Sequence, residues 1–325
     1  MRPEGSTSYQ DYQELYSSCR LCPRNCNISR RGGVCVPKKG FCGETDQLRV
    51  GYIGPHFGEE PPITGTNGSG TVFLSGCSLK CSFCQNHQIS HHGLGTSIGP
   101  VELFNKIQDM IGTHHVHNIN FVTPDHFFPH IFYIVSLLRK LGLDIPIVFN
   151  TSGYQSVEML KHAEEHSDIY LPDYKYSDSS MAARLSKCPD YPAVALDAIS
   201  EMLRQKGFLD ACLSDLDIAK KGVLVRHLIL PGQVENSINA LTSLFLEFGA
   251  QLPISLMSQY HPVLPHADEC LNRSVSKEEF DQVLSHANDL GFEHLFVQFP
   301  ETGSDDLQET SPFLPDFRLE KPFRQ

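Results

Sequence analysis

The sequence predicts an α/β protein, an incomplete α/β barrel with a cysteine-rich N-terminal extension. Three observations lead there. From residue 71 onward, short apolar runs alternate with longer stretches of helical periodicity. Repeated strand–helix units of this kind build a parallel sheet covered by helices. Before that point the chain is rich in cysteine and glycine and lacks the alternation. A loop with three cysteines follows directly on the first apolar run, at the strand end where a barrel keeps its reactive loops.

The elements follow in order. Residues 1–45 read as a cysteine-rich metal-binding segment: Cys19-x-x-Cys22-Pro-x-x-Cys26, then Cys35, then Cys42-Gly43. Glycines at 32, 33, 40 and 43 make it mostly loop and turn. Residues 46–70 are a Gly/Pro-rich connection, expected to be extended with tight turns. The barrel occupies 71–300, with strands expected at 71–74, 118–122, 145–149, 169–171, 223–230, 254–257 and 294–297. Helices are expected between them at 101–111, 129–141, 156–166, 191–205, 237–248 and 277–290. Pro100 suits a first helical turn, where its missing N–H costs nothing. The tail, 301–325, is polar and proline-containing and reads as an extended strap.

Composition narrows the function. The 325 residues are 40% hydrophobic and 20% charged, as in a soluble globular protein. No apolar run approaches a membrane span, and the first residues lack the apolar core of a signal peptide, so the cytoplasm is the expected location. A net charge of −12 argues against nucleic-acid binding, which needs a basic surface. The one basic stretch, 20–39, coincides with the first cysteines, whose thiolates it can offset. Eleven cysteines in a long chain with no export signal point to metal rather than disulfides. Cys188, Cys212 and Cys270 are isolated and read as ordinary thiols, and histidines 91, 92, 114, 115 and 117 as surface residues.

The loop FLSGCSLKCSFCQN holds Cys77, Cys81 and Cys84 as C-x-x-x-C-x-x-C. A structural zinc site wants four protein ligands, and a cubane cluster is usually held by four thiolates. Three thiolates leave one iron open to bind a substrate. This spacing, with the aromatic Phe83 before the third cysteine, resembles that of radical S-adenosylmethionine (SAM) enzymes. A zinc knuckle borrowing His87 is the alternative. Gly76 permits a close backbone approach.

The resemblance extends along the chain. HFGEEPPITGTNGSGTVFLSGCSLKCSFCQNHQIS, CRLCPRNC, HNINFVTPDH, PIVFNTSGY, DIYLPDYKY, VRHLILPG and LMSQYHPV resemble the PflX-type iron–sulfur proteins, relatives of the pyruvate formate-lyase activating enzyme. The resemblance implies the partial (β/α)6-type TIM barrel of the radical SAM superfamily. It implies a [4Fe–4S] cluster on Cys77, Cys81 and Cys84, and S-adenosyl-L-methionine on the open iron. One electron would yield a 5′-deoxyadenosyl radical that abstracts hydrogen from a partner. Thr123, ending the second strand, would accept hydrogen bonds from the cofactor's ammonium; a plain strand-end turn is the alternative. Thr151 and Asp173 lie in loops similar to pocket loops of the activating enzymes, and a surface pair with Lys175 is the bland reading of Asp173. Arg226 carries a charge suited to the cofactor's carboxylate. His261 lies in a segment similar to one near the adenosine, or is a core histidine. Ser152-Gly153-Tyr154 mimics a glycyl-radical site, but its position at a barrel strand end fits a radical generator better.

Cys19, Cys22, Cys26 and Cys42, with Cys35 as the alternative, could close a structural zinc site or an auxiliary iron–sulfur cluster, with the lean toward iron–sulfur. The expected electron donor is reduced flavodoxin or ferredoxin, and the expected target a glycine of a protein substrate. Modification of a small molecule or peptide is the alternative within radical chemistry. A non-catalytic, zinc-stabilised binding module is the alternative outside it.

Overall fold

The computed structural model describes residues 8–32, 36–214, 216–300 and 315–323. Cys35 lies outside them. The strands are β1 (Arg49–His56), β2 (Ser69–Leu74), β3 (Thr96–Ser97), β4 (Ile119–Val122), β5 (Ile147–Thr151), β6 (Ile169–Pro172), β7 (Gly222–Val223), β8 (Val225–Leu228), β9 (Ile254–Met257) and β10 (Leu295–Gln298). A seven-stranded sheet runs β3-β1-β2-β4-β5-β6-β7, and a three-stranded sheet runs β10-β9-β8. Every pairing from β2 through β7, and from β8 through β10, is parallel. A parallel bridge between Asp173 and Arg226 joins the two rows beyond the end of β6. The rows end at β3 and β10, so the barrel is open, as the sequence predicts.

Strands β2 and β6 are buried along their full length, the signature of parallel strands covered on both faces. The covering helices include Pro100–His114, Phe128–Lys140, Tyr191–Lys206, Val234–Phe248 and Lys277–Leu290, close to the expected positions. The single strand expected over 223–230 is broken into β7 and β8. β7 stays with β6, whereas β8 pairs with β9.

The connection at 46–70 contains β1, an antiparallel strand laid against β2. Gly51, Gly54 and Pro55 hide it from a propensity reading. The glycines answer to packing: a Cβ at Gly51 would stand 2.6 Å from Ile89 Cγ2, and one at Gly54 would overlap the Tyr52 hydroxyl. A second unexpected element, the helix Ser179–Ser186, is capped by the Asp178 side chain. In the tail, Phe317 and Phe323 pack on Phe73, and Gln88 holds the segment by accepting from Phe317 N–H at 2.7 Å.

Candidate active site

A cavity of about 1360 Å³ opens at the C-terminal ends of β2, β4, β5, β6, β8 and β9. Its wall takes Cys77, Cys81 and Cys84 from the loop after β2. The loop owes its path to two left-handed residues, Gly76 (φ 85°) and Lys80 (φ 51°). A Cβ on Gly76 would stand 2.9 Å from the Cys42 carbonyl oxygen and 3.1 Å from His126 Nε2, so only glycine fits.

Each of the three sulfurs accepts one hydrogen bond. Leu79 N–H donates to Cys77 Sγ (3.3 Å), Ser186 Oγ to Cys81 Sγ (3.1 Å) and Ser90 Oγ to Cys84 Sγ (3.3 Å). Tyr176 Oη lies 2.6 Å from Ser186 Oγ and holds that hydroxyl in place. Burial, and then each thiol's cysteine neighbours, push the Cys77 and Cys84 thiols above the usual range. In the absence of a positive centre these groups are therefore neutral. Donors aimed at all three sulfurs are the arrangement that holds cluster thiolates and tunes their potential. Among the described residues no three His, Cys, Asp or Glu side chains meet closely enough to hold a single ion. The ligands of a cubane each bind a different iron and need not meet at one point.

The other expected residues divide. Phe83 lines the cavity edge-on to Tyr176 and Tyr260. Thr123 lines it in a left-handed conformation (φ 56°), rare for a β-branched residue, with its N–H bonded to Asn150 O at 2.8 Å. Thr151 lines it with a buried hydroxyl that has no partner among the described residues. Asp173 lines it and pairs with Lys175.

Arg226 reaches the wall, but its guanidinium is already occupied. It bonds Glu59 at 2.5 Å and Glu60 through Nε at 2.9 Å, all three side chains being buried. The expectation of a donor open to a cofactor carboxylate is corrected here, because two carboxylates already saturate this charge. His261 is absent from the wall; it is half-exposed, with Ser274 Oγ at 3.4 Å, and Gln259 takes the wall position on that strand's end. His87 is likewise not a wall residue.

Lys175 is the cation that sequence reasoning undervalued. Burial is the largest influence on it and opposes its charge, but Asp173 and the Cys81 sulfur outweigh this and hold the ammonium protonated. Its distinction depends on a fold that brings it beside Cys81 and Cys84, and no local pattern reports that. Below the cysteine loop, Asp125 accepts from Ser78 Oγ at 2.7 Å in full burial, which pushes its carboxyl up. His126 Nε2 donates to Ser75 O at 2.6 Å, and burial lowers its pKa to about 3, so it stays neutral.

This combination of an open parallel barrel with three cysteines at a strand end defines a class. A profile of the Radical SAM superfamily matches residues 71–243, just over half of the chain, and the chain belongs to that family. Membership implies a [4Fe–4S] cluster and SAM as cofactors. Closer in sequence, the chain is similar to an uncharacterized protein of Methanocaldococcus jannaschii, 26% identical over 286 residues, covering 85% of this chain and 75% of that one.

Among solved structures, SuiB of Streptococcus suis bound to SAM matches with 11% identity and a TM-score of 0.44, covering 69% of this chain and 48% of that one. HydG, a maturase of the [FeFe]-hydrogenase, matches with 13% identity and a TM-score of 0.48, covering 72% and 52%. A domain of pyruvate-formate lyase-activating enzyme from Bacteroides vulgatus matches with 16% identity and a TM-score of 0.37, covering 56% and 98%. The chain spans about half the length of the SuiB structure. No helix among the described residues is long and apolar enough to cross a membrane.

Proposed function

We propose that this chain is a PflX-type radical SAM enzyme in which Cys77, Cys81 and Cys84 hold the [4Fe–4S] cluster. The observation that carries this reading is the set of three hydrogen bonds, one to each sulfur, on the wall of a large cavity. When bound, cluster and cofactor supply one-electron cleavage of a carbon–sulfur bond, releasing methionine and a 5′-deoxyadenosyl radical that takes a hydrogen atom from the substrate. The electron enters from reduced flavodoxin or ferredoxin.

The chain's own residues bind and orient. Thr151 Oγ1, without a partner among the described residues, is placed to bond a cofactor polar group. Thr123 lines the same space in its left-handed conformation, a strand-end position suited to the cofactor's ammonium. Asp173 and Lys175 set a paired carboxylate and ammonium on the wall beside Cys81 and Cys84, matching in charge the two ends of the cofactor's methionine moiety. Phe83 excludes water on the cysteine side. The paired Glu59, Glu60 and Arg226 stiffen the opposite wall.

The activating-enzyme likeness supports a protein glycine as hydrogen donor. One observation favours a small molecule or peptide instead. Pro315, Glu320, Lys321 and Phe323 form part of the cavity wall, and a space of about 1360 Å³ exceeds an ordinary ligand pocket, leaving room for a second molecule beside the cofactor.

The test is anaerobic reconstitution and reduction with SAM, reading 5′-deoxyadenosine. The native chain is expected to form it and Cys77→Ala to form none. A fully loaded native protein that makes no product sinks the reading and leaves the metal-stabilised binding module. Deuterium passing from a candidate substrate into 5′-deoxyadenosine then separates a protein glycine from a small molecule.

A further inference from the structure

We infer that Cys19, Cys22, Cys26 and Cys42 form a second, closed metal–thiolate centre whose negative charge is balanced by the buried Arg30. The inference begins with a mismatch between structure and burial. Ahead of β1, the only regular elements among the described residues are a helix over Tyr9–Gln13 and one 3-10 turn over Glu14–Tyr16. Such a segment has little core of its own: Tyr16, Cys19 and Leu21 join the main core, yet Cys22 and Cys42 are only 8% and 6% exposed while belonging to no hydrophobic cluster. Short segments that bury cysteines without a core are ordinarily stapled by metal.

Two of the sulfurs lie close, while the four do not converge on a single ion's reach as they stand, as is also true of Cys77, Cys81 and Cys84. A Cβ built on Gly40 would stand 3.3 Å from Cys42 Sγ and 3.8 Å from Cys26 Sγ. Asn25 (φ 43°) and Asn27 (φ 52°) take left-handed conformations that fold the turn carrying Cys22 and Cys26. Asn25 N–H donates to Cys22 O at 3.1 Å, and Phe41 N–H to Cys26 Sγ at 3.4 Å. The second of these is a backbone donor aimed at a sulfur, as in metal–thiolate loops.

Arg30 supplies the independent observation. It is fully buried, and it makes no ion pair with a described carboxylate. Its donors go to the carbonyls of Glu44 (3.1 Å), His126 (2.8 Å) and Thr45 (2.8 Å), and to Cys19 Sγ at 3.6 Å. Tyr16 and Phe127 face it at 4.9 and 5.8 Å. A buried cation without an anion is strongly unfavourable. Four thiolates on a zinc ion or a [4Fe–4S] core carry roughly two negative charges, and that is the missing anion. Arg30 touches one of these sulfurs directly.

The centre adjoins the first one. Cys77 N–H donates to Cys42 O at 3.3 Å, so one backbone hydrogen bond spans the two cysteine groups. Arg24 adds a clamp from the same segment, donating to Ser78 O at 2.9 Å and Ser186 O at 2.7 Å.

The test removes the first site and measures metal in what remains. The full chain carrying Cys77→Ala, Cys81→Ala and Cys84→Ala is purified anaerobically, and its iron, zinc and acid-labile sulfide are counted. Iron with sulfide identifies a cluster, and one zinc per chain identifies a structural ion; either outcome supports the centre. A folded triple variant with no bound metal overturns it. Should the triple variant fail to fold, Cys19→Ser with Cys42→Ser in the native background decides the same question, since an unchanged metal count overturns the proposal. Arg30→Met is expected to speed metal loss to a chelator about tenfold or more, with Arg30→Lys restoring much of the retention. Equal loss rates for native chain and Arg30→Met would remove Arg30 from the assignment. Metal retention is read without turnover, so it stands or falls separately from 5′-deoxyadenosine formation.

Discussion

Thr151 lines the cavity with a buried hydroxyl that has no partner among the described residues, which makes it a sharp probe of binding. Thr151→Val is expected to weaken SAM binding about five- to tenfold while leaving stability within about 0.5 kcal/mol, because the lost hydroxyl had no internal partner. Isothermal titration and a denaturation midpoint together check it; a large stability loss with normal binding would contradict the role. Ser186 tests the sulfur environment. Removing its donor from Cys81 should make the cluster harder to reduce by on the order of 40 mV, about 1 kcal/mol for a one-electron couple, in a redox titration of Ser186→Ala. At this scale the cysteine triplet was legible because its spacing is local. Ser90, Ser186 and Lys175 were not, since Ser186 and Cys81 meet across 105 positions. Arg226 misled for a related reason: its partners Glu59 and Glu60 come from a distant loop, so a paired arginine looks like a free one in sequence.

The loops between consecutive strands are fitted to one another as tightly as the strands. Gly153, just past β5, is left-handed (φ 76°), and a Cβ there would collide with the backbone oxygen of Asp173 past β6 while standing 2.9 Å from Tyr191 Oη. Tyr191 Oη lies 2.9 Å from both Ser152 O and Asp173 O, sharing its one proton between them, and accepts from Lys175 N–H at 2.9 Å. Gly153→Ala is therefore expected to cost at least about 2 kcal/mol, combining backbone strain with displacement of the Asp173 loop. A shifted denaturant midpoint together with weaker SAM binding checks it. Element type was readable wherever periodicity was strong, as at Lys277–Leu290 and Ile254–Met257, which fall where expected. It failed at β1, where glycine is dictated by contact with Ile89 and Tyr52 rather than by strand preference. It also failed between β7 and β8, where a continuous apolar run changes pairing partners without changing composition.

Across the whole molecule, stability is tied to acidity through buried neutral histidines. His227 donates from Nδ1 to Tyr174 O (2.6 Å) and accepts at Nε2 from Ser237 (2.9 Å), and burial brings its pKa to about 4. His130 lies 2.6 Å from Tyr16 Oη, and burial brings it to about 3. Both folded values lie below the ordinary histidine pKa of about 6.5, so the unfolded chain takes up protons first. Their contribution is complete above that value and is lost as pH falls toward 4 and then 3. With His126, which burial also brings to about 3, they should make guanidinium titrations at pH 7.5 and 5.5 differ by about 4 kcal/mol, and His227→Asn should remove roughly a third of that. The open-barrel class was readable from alternation alone, whereas the route of the tail was not, since no periodic pattern marks it. That tail has a consequence for how the protein is made. Residues 315–323 lie against Phe73 and bond through Gln88, beside the helix that follows Cys84. A ribosome delivers them after every strand they cover. The nascent chain thus presents the loop of Cys77, Cys81 and Cys84 without this cover throughout translation of the barrel, and the order of synthesis itself leaves an interval for cofactor insertion before residues 315–323 settle.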